Sequence, residues 1–389
     1  MTVVARRTLL TGAAALCGAA VAGGPFRLAM AAAATERRLM VVILRGGMDG
    51  LAAVPPIGDR DYAAARRALA MPRDKVLPLD GFFTLNPALK PLHDLYASKE
   101  LLVLPAVATP YRERSHFDAQ DLLENGSTKP HGLATGWLGR TVEVMGKDVR
   151  GLALGPAVPL LLQGARPVQS WSPSLAPVVD EDFLARVARM YRGDPALAAA
   201  LDEGMKTPGM AGKPGGGNRK QFIETMRVAA KLLRRPDGAR LATIDLGGWD
   251  THANQGTEAG RMAEPLRILA EGVTALREDM AEDWKRTLVM VVTEFGRTVA
   301  ANGSGGSDHG TASAAFLIGG GLRGGRVLGD WPGLAAGKLY QGRDLYPAND
   351  MRAALKGVLA DHLGLDDRKI AATIFPGSDG VAPLKGLVA

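Results

Sequence analysis

An open-sheet α/β fold is predicted by three observations. Short, continuous apolar runs recur at residues 40–44, 101–104, 241–246 and 288–292, which is how strands buried on both faces read. Stretches of helical period, notably 219–235 and 258–284, separate the later runs. Three of the runs empty into glycine-rich loops that carry acids and histidines. Asp49 lies in Arg45-Gly-Gly-Met-Asp-Gly, Asp250 and His252 in Gly247-Gly-Trp-Asp-Thr-His, and Glu294, Arg297, Asp308 and His309 in the loop over 293–311. An open α/β sheet binds ligands beyond the carboxyl ends of its strands, so the pattern points to one shared site.

The chain has 389 residues, 47% hydrophobic and 22% charged, an ordinary balance for a globular protein. Residues 1–31 stand apart. Arg6-Arg7-Thr8-Leu9-Leu10 opens an uncharged Ala/Gly-rich run, followed by Ala29-Met30-Ala31, and this resembles a twin-arginine export signal, which predicts a periplasmic or secreted protein. The run is padded with Gly and Ala, too weakly apolar for a retained span, so no stable membrane anchor is expected after processing. Removing the segment takes away Arg6, Arg7 and Arg27 and no acid, so the net charge of +7 becomes +4. With 5% aromatic residues and no basic cluster interleaved with them, nucleic acid is not an expected partner. The sole cysteine, Cys17, lies in the signal and leaves no disulfide, thiolate ligand or thiol nucleophile for the mature chain. Residues 35–389 are read as one α/β domain, with a flexible Gly/Pro-rich loop at 207–218.

Taken in order, the first strand ends at Asp49, placed either to serve a metal or to satisfy turn amides, the usual business of Asp-Gly. Helical patches at 62–70 and 89–98 frame the site. The 101–104 strand leads to Arg114-Ser115-His116-Phe-Asp118. Ser115 sits at the N-cap of a helix starting near His116, which explains it structurally; the same helix start, with Arg112 or Arg114, could hold an anion over its hydroxyl. His116 and Gln120 share one helix face. His131 falls in a turn-rich loop. A helix is expected over 137–145, short strands over 152–154 and 158–162, and a helix over 180–191. In GGWDTH, Asp and His two apart in an irregular loop can face one point and offer oxygen and imidazole to a cation. Asp308 and His309 are adjacent, so their loop must turn, or two close metals must share the pair, for both to reach a centre. Gly319 to Gly325 lacks dinucleotide-loop spacing and reads as a turn between strands at 314–318 and 326–328. Asp350 caps a helix over 351–363, and His362 and His93 read as structural.

These motifs together, with the Arg-Ser-His-Phe segment at 114–117, TEFGRT at 293–298 and SDHG at 307–310, resemble a bacterial family with a twin-arginine signal, the domain of unknown function 1501, grouped with alkaline-phosphatase-like and sulfatase-like proteins. The resemblance spans nearly the whole mature chain. It implies an alkaline-phosphatase-like three-layer sandwich with a mostly parallel central sheet and divalent metal, one ion or two, at the carboxyl edge of that sheet. Position by position it makes Asp49 the early ligand, Asp250 and His252 the middle pair, Asp308 and His309 the last pair, and Ser115 the nucleophile. The sequence departs from the pattern in two places. The middle Asp and His stand unusually close, and the final His is missing unless His362 or Asp350 substitutes. Ser115 also lacks the Cys/Ser-x-Pro-x-Arg context of a formylglycine sulfatase.

The function this implies is an exported metal-dependent hydrolase of an anionic ester, small or polymer-borne, phosphate before sulfate. Asp49, Asp308 and His309 would hold one cation (zinc, calcium, magnesium or manganese) and Asp250 and His252 a second, or complete the first. Ser115 and His116 are the catalytic candidates, while Arg45, Arg114 and Arg297 would clamp oxygens. The rival is an exported binding or assembly protein that keeps the fold without turnover. The twin-arginine export machinery is an expected partner of either.

Overall fold

Strand β1, Arg38–Leu44, is buried along its whole length because both of its faces are apolar. Met40, Val42 and Leu44 enter one core and Leu39, Val41 and Ile43 the other, the period-two alternation of a strand between two layers. The computed structural model describes residues 36–173 and 218–389 together with positions 195 and 199. The export signal expected over 1–31, the helix expected over 180–191 and nearly all of the 207–218 run lie outside the described residues.

The strands that follow are β2 (Leu77–Pro78), β3 (Thr84–Leu85), β4 (Leu101–Ala108), β5 (Gly151–Leu154), β6 (Val168–Trp171), β7 (Leu241–Leu246), β8 (Thr287–Thr293), β9 (Ser313–Gly319), β10 (Arg326–Val327) and β11 (Asn349–Asp350). Among the described residues the α-helices are α1 (Gly50–Ala53), α2 (Tyr62–Arg66), α3 (Lys90–Ala97), α4 (His116–Asn125), α5 (Trp137–Met145), α6 (Asn218–Arg234), α7 (Ala263–Met280), α8 (Met351–Gly357) and α9 (Asp367–Lys369). The sheet runs β10-β4-β9-β8-β1-β7-β5-β6, with β11 also beside β4. Its pairings are parallel except those of β9, which runs against β8 and β4. One core joins β1 to side chains of α3, α6 and α7, including Leu92, Met226, Leu233, Leu266 and Val273. The other joins it to α5 and α8 through Trp137, Leu138 and Leu355. The result is a three-layer α/β fold with a mostly parallel sheet. Each fully buried Leu, Ile, Val or Met is worth about 1.5–3 kcal/mol relative to exposure, so the two cores carry the architecture.

The reversed strand matters for function. Loops after β1, β4, β7 and β8 leave the same edge of the sheet, and because β9 is antiparallel the loop that precedes it, 305–312, lies at that edge too. All the sequence-selected loops therefore meet.

Several local expectations are corrected. Residues 158–162 are no strand: Leu160–Leu162 forms a single 3-10 turn after Pro159, which cannot donate to a ladder. Strand β4 continues past Leu104 through Pro105, because a register irregularity between Leu104 and Val107 absorbs the missing N–H. β6 has only one fully buried residue, Trp171, and so left no apolar run to read. The helix expected over 258–284 begins at Ala263 and gives way at Ala281 to a 3-10 segment, Ala281–Arg286. β9 and β10 are not partners across a turn; β4 lies between them.

His362, in the extension of α8, is buried and its Nε2 lies 2.8 Å from the Arg38 carbonyl. Burial pushes its imidazole down to about 4. Between the ordinary value near 6.5 and about 4 the unfolded chain binds a proton that the folded chain refuses. The contribution to stability is thus complete above 6.5 and lost as pH falls toward 4, roughly 3 kcal/mol in all. His362→Gln should flatten the fall in unfolding free energy between pH 6.5 and 4.5, measured by denaturant titration; parallel pH profiles for variant and wild type would contradict this.

Candidate metal centre

Helix α4 begins where β4 delivers the chain to the ligand edge, and its first residue is His116. The Nδ1–H of His116 donates to Glu294 Oε1, 2.8 Å away, at the end of β8. Glu294 is almost wholly buried and also accepts from Gly46 N–H at 2.8 Å and Gln120 Nε2 at 3.1 Å. Burial alone would raise the carboxyl, but the bonds from His116, Gln120 and the Gly46 amide more than offset it and hold its pKa below the usual range. An ionised Glu294 accepts only, so a hydrogen sits on His116 Nδ1, and Nε2 is the atom turned inward. The same hydrogen bond to Glu294 raises the imidazole's pKa, against the opposing effect of burial.

His309 is fixed by similar logic. Its Nδ1 lies 3.0 Å from the Arg114 carbonyl, which can only accept, so Nδ1 carries the hydrogen. Arg114 takes up φ 64, in the left-handed region, as it presents that carbonyl. Burial, and then the neighbouring His116, push the His309 imidazole below its ordinary value, which favours the neutral ring. The loop carrying it is laced to the β8 loop by Gly296 N–H to Thr311 O and Gly310 N–H to Gly296 O, both 2.9 Å. The approach leaves no room for a side chain: a Cβ on Gly296 would stand 1.7 Å from the Ala312 carbonyl oxygen. His252 completes the set, its Nδ1 3.3 Å from Asp308 Oδ1.

With three Nδ1 atoms committed outward, three Nε2 atoms face inward. His116 Nε2 and His309 Nε2 are 3.0 Å apart, and His252 Nε2 is 3.1 Å from His309 Nε2. Asp250 Oδ1 lies 3.0 Å from His252 Nε2, 3.3 Å from His309 Nε2 and 3.7 Å from His116 Nε2. The ligand atoms of His116, Asp250 and His309 all fall within 4.8 Å of one another. Donors around one tetrahedral cation at 2.0–2.2 Å stand roughly 3.3 Å apart, so the spacing fits a shared divalent ion. Asp250 is positioned by buried Trp249, whose indole N–H donates to Leu246 O at 2.8 Å, and by Gly46, where a Cβ would come within 2.7 Å of the Asp250 amide nitrogen. Burial pushes the Asp250 carboxyl up, but the bond from the buried Arg297 guanidinium, with His252 and His309 nearby, keeps it below its usual range.

The structure thus brings together His116, Asp250, His252 and His309, and holds Asp308 behind His252. Asp49 it places elsewhere. Its Oδ1 accepts from Leu51 and Ala52 N–H as the N-cap of α1, and its Oδ2 accepts from Arg66 and Gln255, each at 2.6 Å. The turn-amide reading describes it, and its loop serves the site through the Gly46 amide instead. The three arginines are likewise engaged. Arg45 pairs with Glu124 and Asp245, Arg114 with Asp344, and Arg297 with Asp250. Asp350 caps α8 and pairs with Arg352, and His362 is remote in the core, so neither stands in for a final ligand. Ser115 occupies the N-cap of α4 with extended backbone, and its hydroxyl does not cap the helix. Its N–H donates to Tyr111 Oη at 3.3 Å. The residue whose role went unread is Glu294. The only signal was its place at the end of a buried strand, in register with Arg45-Gly46 at the end of the neighbouring one.

The profile of the family described as protein of unknown function (DUF1501) matches residues 104–374, and the chain belongs to that family. No curated protein matches it in sequence. Among solved structures it is similar to the zinc complex of the C-terminal periplasmic domain of EcEptC from Escherichia coli, at 10% identity over 73% of each chain and a TM-score of 0.40. It is also similar to a putative sulfatase from Bacteroides thetaiotaomicron, at 9% identity over 85% of this chain and 72% of that one with a TM-score of 0.44. A third likeness is the phosphonate monoester hydrolase of Agrobacterium radiobacter, at 11% identity over 85% and 74% with a TM-score of 0.38.

Asp49 and Arg66 form a buried ion pair, and removing one charge strands the other at a cost of about 3–5 kcal/mol. Asp49→Asn should lower the unfolding free energy by that order while the folded variant keeps the wild-type metal content. Metal loss at unchanged stability would make Asp49 a ligand after all.

Proposed function

We propose that this DUF1501 protein is an exported, metal-dependent hydrolase of an anionic ester, phosphate before sulfate. The observation that carries the reading is the convergence of three Nε2 atoms and the Asp250 carboxylate, each imidazole oriented by an acceptor on its other nitrogen. Neutral imidazoles with one carboxylate suit a borderline cation such as zinc better than calcium or magnesium, which favour all-oxygen shells. His116, Asp250 and His309 would hold it, with His252 completing the set. A divalent cation bound there supplies Lewis acidity and neutralises the charge of an anionic ester.

The chain's own residues supply the rest. Ser115 precedes His116 at the start of α4, where its hydroxyl is the nucleophile candidate and the unpaired N–H groups of the first turn attract ester oxygens. Glu294 keeps the His116 ring in place and its proton on Nδ1. Arg297 fixes the Asp250 carboxylate, and the Arg114 carbonyl fixes His309. The export assignment rests on residues 1–31 of the sequence, and among the described residues no helix is long and apolar enough to cross a membrane.

One observation favours the rival, an exported binding or assembly protein: Arg45, Arg114 and Arg297 are all held in ion pairs, which removes the anion clamp first assigned to them. Elemental analysis of the purified mature protein, beside His309→Ala and Ser115→Ala, with nitrophenyl phosphate and sulfate esters as substrates, separates the two. Hydrolysis predicts about one tightly held divalent ion per chain, lost with activity in His309→Ala, and a metal-replete Ser115→Ala slowed at least roughly a hundredfold. A metal-replete, active His309→Ala overturns the site. Metal-loaded wild type inert toward every ester favours the binding protein.

A further inference from the structure

Behind Asp250 a continuous run of buried hydrogen bonds leads away from the cluster. Arg297 donates from Nη1 to Asp250 Oδ1 and from Nη2 to the Ser307 carbonyl, and its Nε lies 3.4 Å from the Ser307 hydroxyl. Ser307 donates its own hydroxyl hydrogen to Gln255 Oε1. The same oxygen accepts from the Thr251 hydroxyl at 2.8 Å, and Gln255 Nε2 donates to Asp49 Oδ2 at 2.6 Å. Asp49, Thr251, Gln255 and Ser307 are all buried.

Asp49 decides which way the amide of Gln255 faces. Its carboxylate, paired with Arg66, can only accept, so Nε2 turns toward it and Oε1 toward the two hydroxyls. Because the only hydroxyl hydrogen of Ser307 goes to that oxygen, its lone pairs are left to face Arg297. The two hydroxyls stand at telling places in the chain: Thr251 lies between Asp250 and His252, and Ser307 two residues before His309. Backbone bonds close the same junction, Ser307 N–H to Thr251 O at 3.1 Å and Gln255 N–H to Gly305 O at 3.0 Å. One oxygen therefore ties the loop after β7 to the loop before β9, the two loops that carry Asp250, His252 and His309. A buried amide demands partners that an apolar side chain of similar size would not need, so a residue of this type at this junction calls for a reason beyond filling space.

We propose that Gln255 is a positioning residue that sets the spacing between the Asp250–His252 pair and His309, and so governs how tightly the cluster holds a divalent cation. That role rests on the cluster being a metal centre, and it adds a side chain that touches none of the donor atoms. It acts through two hydroxyls. Thr251 holds the backbone between Asp250 and His252, while Ser307 holds both the approach to His309 and the guanidinium that fixes Asp250. His116 lies outside this control, because Glu294 orients it. Asp49→Asn keeps an oxygen that can accept from Nε2, so that substitution leaves the junction in place.

The test measures Zn²⁺ affinity of the full mature protein by competition with a chelator, and the visible spectrum of its Co²⁺ form, whose bands report donor geometry. Gln255→Met and Thr251→Val should each weaken Zn²⁺ binding at least about tenfold and shift the Co²⁺ bands, while Thr251→Ser, which keeps the hydroxyl, stays within about threefold of wild type. Leu233→Ala serves as a destabilised control, since Leu233 is buried beside Arg38 at the opposite end of β1 from the cluster, and it should bind Zn²⁺ as wild type does. Wild-type affinity with an unmoved Co²⁺ spectrum in Gln255→Met would overturn the role of Gln255 alone, as would an equal loss in Leu233→Ala. Should Gln255→Met not fold, the Thr251 pair reads the same junction, and equal affinity in its Val and Ser variants would overturn the proposal. Wild type that takes up neither ion would overturn the metal centre itself, and this role with it.

Discussion

Two imidazole nitrogens 3.0 Å apart repel unless a proton or a cation stands between them. That constraint governs the ligand edge of this protein. Each ring could relieve it by flipping or by moving its hydrogen inward, and each is prevented. Glu294 holds His116, the Arg114 carbonyl holds His309, and Asp308 faces the outer nitrogen of His252. A buried carboxylate and a left-handed Arg114 keep these nitrogens pointed at one another. Outer partners that orient imidazoles in this way are the common accompaniment of a bound metal.

The fold is what makes such long-range fixing possible. His116 and Glu294 are 178 residues apart in sequence, yet the helix start after β4 and the end of β8 bring them to one edge. A purely parallel arrangement would have sent the Asp308-His309 loop to the wrong side, and the reversal of β9 brings it back. The adjacency of Asp308 and His309 then becomes useful. Their side chains diverge, His309 toward the cluster and Asp308 toward the outer nitrogen of His252, so one dipeptide serves two layers of the site.

Much of this was legible in the sequence, and what was not has identifiable causes. Apolar runs such as 241–246 and 288–292 read as strands because they are buried on both faces, and the loops rich in Asp and His followed from them. β6 was invisible because it is only partly covered. Asp49 misled because an N-cap Asp and a ligand Asp look alike before glycine, and its partners Arg66 and Gln255 are remote in sequence or ordinary in type. His116 was expected as a catalytic candidate beside Ser115, and its place among the ligand atoms became legible only with Glu294 and His309 beside it. The arginines were read by charge alone, and charge says nothing of which acid has already taken them.

X-ray absorption at the edge of whatever divalent metal the natively produced protein carries is the most direct test. The expected spectrum has a first shell of nitrogen and oxygen at about 2.0–2.1 Å with the outer scattering of two or three imidazoles, and that scattering diminishes in His116→Ala. An oxygen-only shell without imidazole, or a spectrum unchanged in that variant, would place the metal elsewhere and contradict the convergence of His116, Asp250, His252 and His309 as a metal centre.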